Sequence, residues 1–274
     1  MIAVVIGGGT MGAGIAHLLL AGGHEVVLAE SSADRVVTAR SAVAASLAKA
    51  ADRGKLATTP DELLKNLTVV EQLAEVPAEL VVEAVPEDVD LKRRVLANAA
   101  NACPDAVLAS NTSSLSITAL AQGLPGERVI GMHFFNPVPV QQLVELVVHD
   151  GVAPSTVASA RKWAEDLGKT VIEVKDAPGF ATSRLGVAVG MEAIRMLEDG
   201  VASAEDIDTG MRLGYGWPMG PLRLTDLVGL DVRLAIAEHL AAELGPRFEP
   251  PALLREKVAR GELGRKSGQG FFTW

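Results

Sequence analysis

IAVVIGGGTMGAGIAHLLLAGGHEVVLAE, residues 2–30, is the stretch on which the fold turns. It opens on the all-apolar run IAVVI, residues 2–6, the pattern of a short strand buried on both faces of a parallel sheet. Gly7, Gly9 and Gly12 then follow in a G-x-G-x-x-G spacing. In such a loop the first glycine permits a tight turn, the second lets the backbone approach a pyrophosphate, and the third lets helix and strand pack closely. Thr10 and Met11 complete the loop, and the apolar run after it predicts a helix over about residues 11–21, whose free N–H groups and positive dipole end suit phosphate oxygens. The second strand, EVVLAE, ends at Glu30, close to the spacing of about 20 residues at which a carboxylate meets the adenosine ribose. A carboxylate there bonds both ribose hydroxyls and repels a 2′-phosphate, so NAD is expected over NADP. An isolated glycine motif could be an ordinary turn; strand, glycines, helix, strand and terminal acid in sequence point to a dinucleotide site.

The absence of Asp, Glu, Lys and Arg before Glu25 would mislead a hydropathy scan. Five glycines from Gly7 to Gly14 interrupt the run and no basic segment opens it, so neither a membrane span nor a secretory leader is expected. The whole chain has 274 residues, 49% apolar and 22% charged, enough for a large core in one big domain or two moderate ones. Its net charge of -9 argues against nucleic acid or an anionic membrane as a general partner. Cys103 is the only cysteine, which excludes an internal disulfide, fits a buried structural thiol and makes a reducing cytoplasm the simplest compartment. No metal-ligand spacing stands out.

Downstream, LVVEAVPED (80–88) and AVLASNTSSL (106–115) each read as a buried strand running into a polar turn, with a helical segment over about residues 88–102 between them. This alternation predicts a doubly wound parallel sheet, in which ligands bind at the carboxyl ends of the strands. Glu87, Asn111, Ser113 and Ser114 lie just past strand ends and should face that crevice, although Asn and Ser also cap turns for purely structural reasons.

HFFNPVPVQQLVE, residues 133–145, begins on a histidine and ends on a glutamate inside an apolar run. It could be a turn between two strands. It could also be an acid–base pair, because oxidising a secondary alcohol needs a base of near-neutral pKa as hydride leaves the same carbon. A carboxylate on the second ring nitrogen would fix the tautomer and favour the imidazolium. Pro137 and Pro139 would then stiffen the connection, and VQQLVELVV would return as an apolar strand carrying Glu145. His17, His24, His149 and His239 lack such a setting and are expected to be structural or solvent-facing.

Seven segments in order resemble the L-3-hydroxyacyl-CoA dehydrogenase family, including its free-standing 3-hydroxybutyryl-CoA dehydrogenases. They are GGGTMGAGIA, VVEAVPED, ASNTSSLSIT, GMHFFNPVPVQQLVE, APGFATSRL, EDIDTGMRLGYGWPMGPLRLTDLVGLD and GRKSGQGFF, and they span essentially the whole chain. The resemblance implies an α/β, Rossmann-type doubly wound NAD-binding domain over residues 1–175. A smaller all-α domain over 176–274 would complete the substrate site and form a homodimer. It implies His133 as general base or acid, Glu145 as its partner and Ser113 as a substrate contact. By the same matching Glu87, Lys92, Asn111, Asn136 and Lys266 fall at cofactor positions, and Ser46 at a CoA contact. Arg53 stands where the family can place a CoA-contacting lysine. One departure matters: where the family commonly has asparagine before the arginine of APGF..NR, this chain has Ser183, a shorter group without the paired amide atoms.

Beyond Asp176 the strand patterns disappear. Residues 180–198 are apolar around much of a helical circumference, which suggests burial between domains or at a dimer seam, and 230–244 show a helical core stripe. Two other readings compete. The beta-hydroxyacid dehydrogenases share a glycine loop and a helical domain, but their G-x-G-x-x-x-K-x-x-N arrangement is missing here. A non-enzymatic NAD-binding protein, like the crystallins recruited from this family, would not need His133 and Glu145. The expected activity is reversible, NAD-dependent oxidation of an L-3-hydroxyacyl-CoA.

Overall fold

The computed structural model describes residues 1–274, in two compact units, Met1–Asp176 and Ala177–Trp274. In the first, β1 (Ile2–Ile6), β2 (Glu25–Ala29) and β3 (Leu67–Val70) form one half of a single sheet. β4 (Leu80–Glu83), β5 (Val107–Ser110), β6 (Val129–Phe134), β7 (Leu143–Val148) and β8 (Thr170–Lys175) form the other, in the spatial order β3-β2-β1-β4-β5-β6-β7-β8. The order reverses between β1 and β4, so the crevice at their carboxyl ends is the place where such a sheet takes a ligand. The helices are α1 (Thr10–Ala21), α2 (Ala33–Ala51), α3 (Pro60–Leu64), α4 (Val89–Ala102), α5 (Ile117–Ala121) and α6 (Pro154–Asp166).

The sheet departs once from the expected parallel arrangement: β7 runs antiparallel to β6. The cause is chain length. Only residues 135–142 join the two strands, whereas a parallel return needs a crossover of roughly a dozen residues or more. β8 then pairs parallel with β7, through the crossover helix α6.

Burial explains the uncharged N-terminal run. Residues 12–20 of α1 are all buried, and Val4, Val5, Val81, Val82 and Leu108 are fully so. Two glycines set how closely α1 approaches its neighbours. A Cβ on Gly12 would lie 1.7 Å from the Gly7 carbonyl oxygen, and one on Gly14 would meet Val138 of the 135–142 connection at 3.0 Å. Cys103, which caps the C-terminus of α4, is completely buried, and burial pushes its thiol pKa up.

The second unit is helical: α7 (Thr182–Glu198), α8 (Ala204–Thr209), α9 (Pro221–Val228), α10 (Leu230–Leu244) and α11 (Ala252–Ala259). α7 starts two residues later than the apolar pattern suggests, and within the chain it buries one face, with Val187, Met191 and Ile194. These pack with Leu222, Leu230, Ala237, Leu240 and Phe248. Two buried aspartates organise the rest. Asp208 accepts the Leu222 and Arg223 amides at the start of α9, and Asp226 accepts the Phe271 and Phe272 amides and the Trp274 indole N–H, tying down the last residues. Arg233 is buried beside Gly186, and that burial pushes its guanidinium pKa down to about 10. No helix is long and apolar enough to cross a membrane.

Candidate active site

The glycine loop forms one wall of a cavity of about 1060 Å³ at the carboxyl ends of β1, β2 and β4. Gly7 adopts φ +93°, where a side chain would be strained, and a Cβ there would press on the Ala84 carbonyl. Gly9 caps α1 without any side-chain bond, and a Cβ added to it would meet nothing within 4 Å. The α1 amides are therefore approachable from the cavity, which is what a pyrophosphate requires. Gly7, Gly9, Thr10, Met11 and Glu30 all line this space, and Gly12 seals the turn beneath it.

Glu30 sits one residue past β2, almost fully buried. Its Oε1 accepts the Gly8 amide at 2.7 Å, and Oε2 accepts the Ser31 amide at 3.0 Å and Arg35 Nε at 2.8 Å. Burial works to raise its pKa, but Arg35 and the two amides overcome this and hold it below the usual glutamate value. The residues present thus fit an adenosine ribose: a fixed, ionised carboxylate at the end of the second strand.

A buried chain of polar groups supports the next strand ends. Glu83 closes β4 with no exposure; it accepts Lys92 Nζ and the Ser110 hydroxyl, both at 2.7 Å, and the Val85 amide at 2.6 Å. Lys92 Nζ also bonds the Val85 carbonyl at 3.0 Å and Glu87 Oε2 at 3.2 Å. Glu87 Oε1 accepts the Thr112 hydroxyl, the Ser113 amide and the Ser113 hydroxyl at 2.8, 2.8 and 3.1 Å. Desolvation dominates at Glu83 and raises its pKa; at Glu87 it is outweighed by Lys92 and the Ser113 and Thr112 donors, so that pKa is lowered. Lys92 is 1% exposed, and an ammonium has three N–H donors. All three have protein partners, which makes Lys92 a brace behind Glu87 and Ser113.

The histidine and glutamate of the 133–145 segment come together. They are paired residues across β6 and β7, both buried, with His133 Nδ1 3.0 Å from Glu145 Oε2. Phe135 packs against the imidazole, ring centroids 4.4 Å apart and planes tilted by 45°. Asn111 Oδ1 accepts the Phe134 amide at 2.9 Å, joining the end of β5 to the end of β6 beside His133. The connection between the paired strands is held by a residue the sequence did not flag. Buried Lys169 donates to the Val138 and Gln141 carbonyls, both at 2.7 Å.

A second cavity, about 790 Å³, shares Thr10 with the first and is lined by His17, Ser46, Lys49, Arg53, Lys55 and Asn136. His17, expected to be structural or exposed, is buried at its edge, with Nδ1 2.7 Å from the Ser46 hydroxyl. Three cations beside a hydroxyl suit the phosphates of a large anionic ligand. Ser114 is buried in its turn, and its amide donates to the Thr112 hydroxyl. In the helical unit, Ser183 lies in the first turn of α7, and Lys266 is paired with Asp231 at 2.5 Å. Arg35, Glu83, Ser110 and Thr112 were not anticipated as parts of the site.

The model of the 3-hydroxyacyl-CoA dehydrogenase NAD binding domain matches residues 2–177, and that of the 3-hydroxyacyl-CoA dehydrogenase C-terminal domain matches residues 179–274. A probable 3-hydroxybutyryl-CoA dehydrogenase of Deinococcus radiodurans is 40% identical over 275 residues, covering 98% of this chain and 99% of the relative. Among solved structures, FadB2 of M. tuberculosis superposes with a TM-score of 0.95 at 41% identity, over 99% of this chain and 98% of that one. The (S)-3-hydroxybutyryl-CoA dehydrogenase PaaH1 of Ralstonia eutropha gives 0.92 at 39% identity, over 100% and 98%.

Proposed function

Because the chain belongs to the 3-hydroxyacyl-CoA dehydrogenase family and is an NAD-dependent oxidoreductase of that kind, we propose that it acts on short acyl chains, 3-hydroxybutyryl-CoA foremost, with His133 as the catalytic acid–base. The observation that carries the residue assignment is the buried His133–Glu145 pair. NAD, when bound, accepts the hydride that leaves the hydroxyl-bearing carbon.

The protein's own residues handle the proton. His133 Nδ1 is committed to Glu145 Oε2, so exchange with the substrate hydroxyl falls to Nε2. Glu145, fully buried, lies against the imidazolium that forms as the alcohol gives up its proton. A charge pair in so dry a place is worth more than the same pair in water. Ser113 orients the substrate oxygen, and Glu87, through its three bonds to Thr112 and Ser113, holds that loop in place. Lys92 acts behind Glu87. Gly7, Gly9, Gly12, Glu30, Asn111, Asn136 and Lys266 are assigned to the cofactor, and Ser46 with Arg53 to CoA. The helical unit contributes Ser183 and, through exposed apolar residues such as Leu185, at 67% exposure, the surface of a homodimer. The short-chain preference is supported by the names of the Deinococcus and Ralstonia relatives.

The deciding experiment is oxidation of NADH by the pure protein with acetoacetyl-CoA, compared with 3-oxoacyl-CoA substrates of longer chain. The highest kcat/KM on the four-carbon substrate supports the proposal. A maximum at a longer chain would retain the enzyme class and overturn the short-chain assignment. Light scattering at micromolar concentration tests the dimer.

A further inference from the structure

Arg35 stands in an awkward place. Ser32 caps α2, its hydroxyl accepting the Arg35 amide, which puts Arg35 in the first turn of that helix. A cation there opposes the helix dipole, which favours anions at the N-terminus. The residue is also the only Lys or Arg lining the large cavity, whose other charged residues, Glu30, Glu71 and Glu75, are all acidic. Glu30 accounts for its Nε, which donates to Oε2 at 2.8 Å. The rest of the guanidinium is on the solvent side: the side chain is 57% exposed, and its Nη atoms make no bond within the protein.

Resting on the reading of Glu30 as the ribose acid, we propose that Arg35 tempers the cofactor selectivity that Glu30 imposes at this site. It acts there in two ways. Its Nε fixes one Glu30 oxygen, so that the carboxylate is presented ionised to the hydroxyls of an unphosphorylated adenosine ribose. Its Nη pair lies beside the same carboxylate, where a 2′-phosphate on that ribose would arrive, and a guanidinium fork matches phosphate geometry. The site therefore contains a phosphate receptor held in check by the adjacent carboxylate. Glu30 with its acidic neighbours disfavours the 2′-phosphate by repulsion, while Arg35 limits how strong that exclusion is. Removing the Glu30 charge should release Arg35 to bind the phosphorylated cofactor.

The test is direct titration of NADH and NADPH by cofactor fluorescence, giving Kd without turnover. It uses the full chain and four forms: wild type, Arg35→Ala, Glu30→Gln and the double variant. Glu30→Gln is expected to tighten NADPH at least tenfold, and adding Arg35→Ala should abolish that gain. In the wild-type background, Arg35→Ala should weaken NADPH more than NADH. An NADPH gain of equal size in Glu30→Gln and in the double variant would overturn the proposal. Should Glu30→Gln fail to fold, Arg35→Ala alone decides, since an unchanged ratio of the two Kd values would also overturn it. Failure of the wild type to bind NADH would instead refute the underlying reading of the ribose site.

Discussion

His133 and Glu145 occupy directly opposed positions on the antiparallel strands β6 and β7, and this register puts both side chains on one face of the sheet with a nitrogen–oxygen separation of 3.0 Å. The geometry of the proposed acid–base pair is thus set by strand pairing, where a slip of one residue would send one partner to the opposite face. His133→Asn is expected to keep NADH affinity and lower turnover by at least ~10²-fold, the low end for a positioned acid or base. Glu145→Gln should also lower turnover, because the imidazolium that forms loses its charged partner. Stopped-flow rates check both; near-normal turnover in either variant would remove that residue's role.

The Glu83–Lys92–Glu87 chain predicts an unusually costly lysine. Lys92→Met leaves Glu83 and Glu87 without their shared cation, and breaking a buried ion pair costs about 3–5 kcal/mol. Adding Glu83→Gln should recover part of the loss, since the uncompensated charge goes with it. Urea unfolding at pH 7 measures both variants. Equal stability of Lys92→Met and wild type would mean that the lysine is not the brace described.

Acidification should act through Glu87. Its folded-state pKa is lowered, so the folded protein releases that proton more readily than the unfolded chain does. The corresponding stability is complete above the ordinary glutamate pKa of 4.5 and is lost as pH falls through the lowered value. Glu87→Gln should therefore destabilise the protein at pH 7, with the gap to wild type closing below pH 4.5. Glu83 and Asp208, whose pKa values are raised, work in the opposite direction, and their contribution falls as pH rises through those values. Unfolding curves at neutral and acidic pH distinguish this from a gap that is independent of pH.

Ser183 lies in the first turn of α7, where the family resemblance implies an asparagine and this chain carries a shorter group. Ser183→Ala is expected to cost less than about 1.5 kcal/mol in transition-state stabilisation, the scale of one neutral hydrogen bond. A loss in kcat/KM as large as that of His133→Asn would instead give this hydroxyl a direct part in the chemistry.

How much of this could be read from the chain depends on what each residue's neighbours in sequence reveal. Gly7, Gly9, Gly12 and Glu30 belong to one continuous strand–turn–helix–strand unit, so their spacing alone carried their positions. The segments 80–88 and 106–115 announced β4 and β5 through apolar runs ending in polar turns. The return of the chain in β7 was legible in the proline-stiffened connection ahead of VQQLVELVV, and the shortness of residues 135–142 makes that return antiparallel. Glu83 was hidden because one acid at the end of LVVE looks like the exit of a strand; its partners Lys92 and Ser110 lie 9 and 27 residues away in sequence. Lys169 and Arg35 escaped for the same reason: an isolated basic residue near a helix end is ordinarily solvated, and only the tertiary structure gives each an anchor. Lys92 stands at a cofactor position by its match to the family, but burial commits its three donors to Glu83, Val85 and Glu87, and burial is not written in a motif.

Cys103 provides a built-in clock. A thiol with no solvent exposure, raised pKa and no second cysteine in the chain can react with an alkylating reagent only when the structure around the end of α4 opens. The rate of single-site labelling then reports how often that region comes apart, with no introduced dye or mutation. A dinucleotide that binds only the closed form should slow this clock by the factor its occupancy dictates. Affinity for NADH or NADPH would then be readable from mass spectra of a protein that is not turning over.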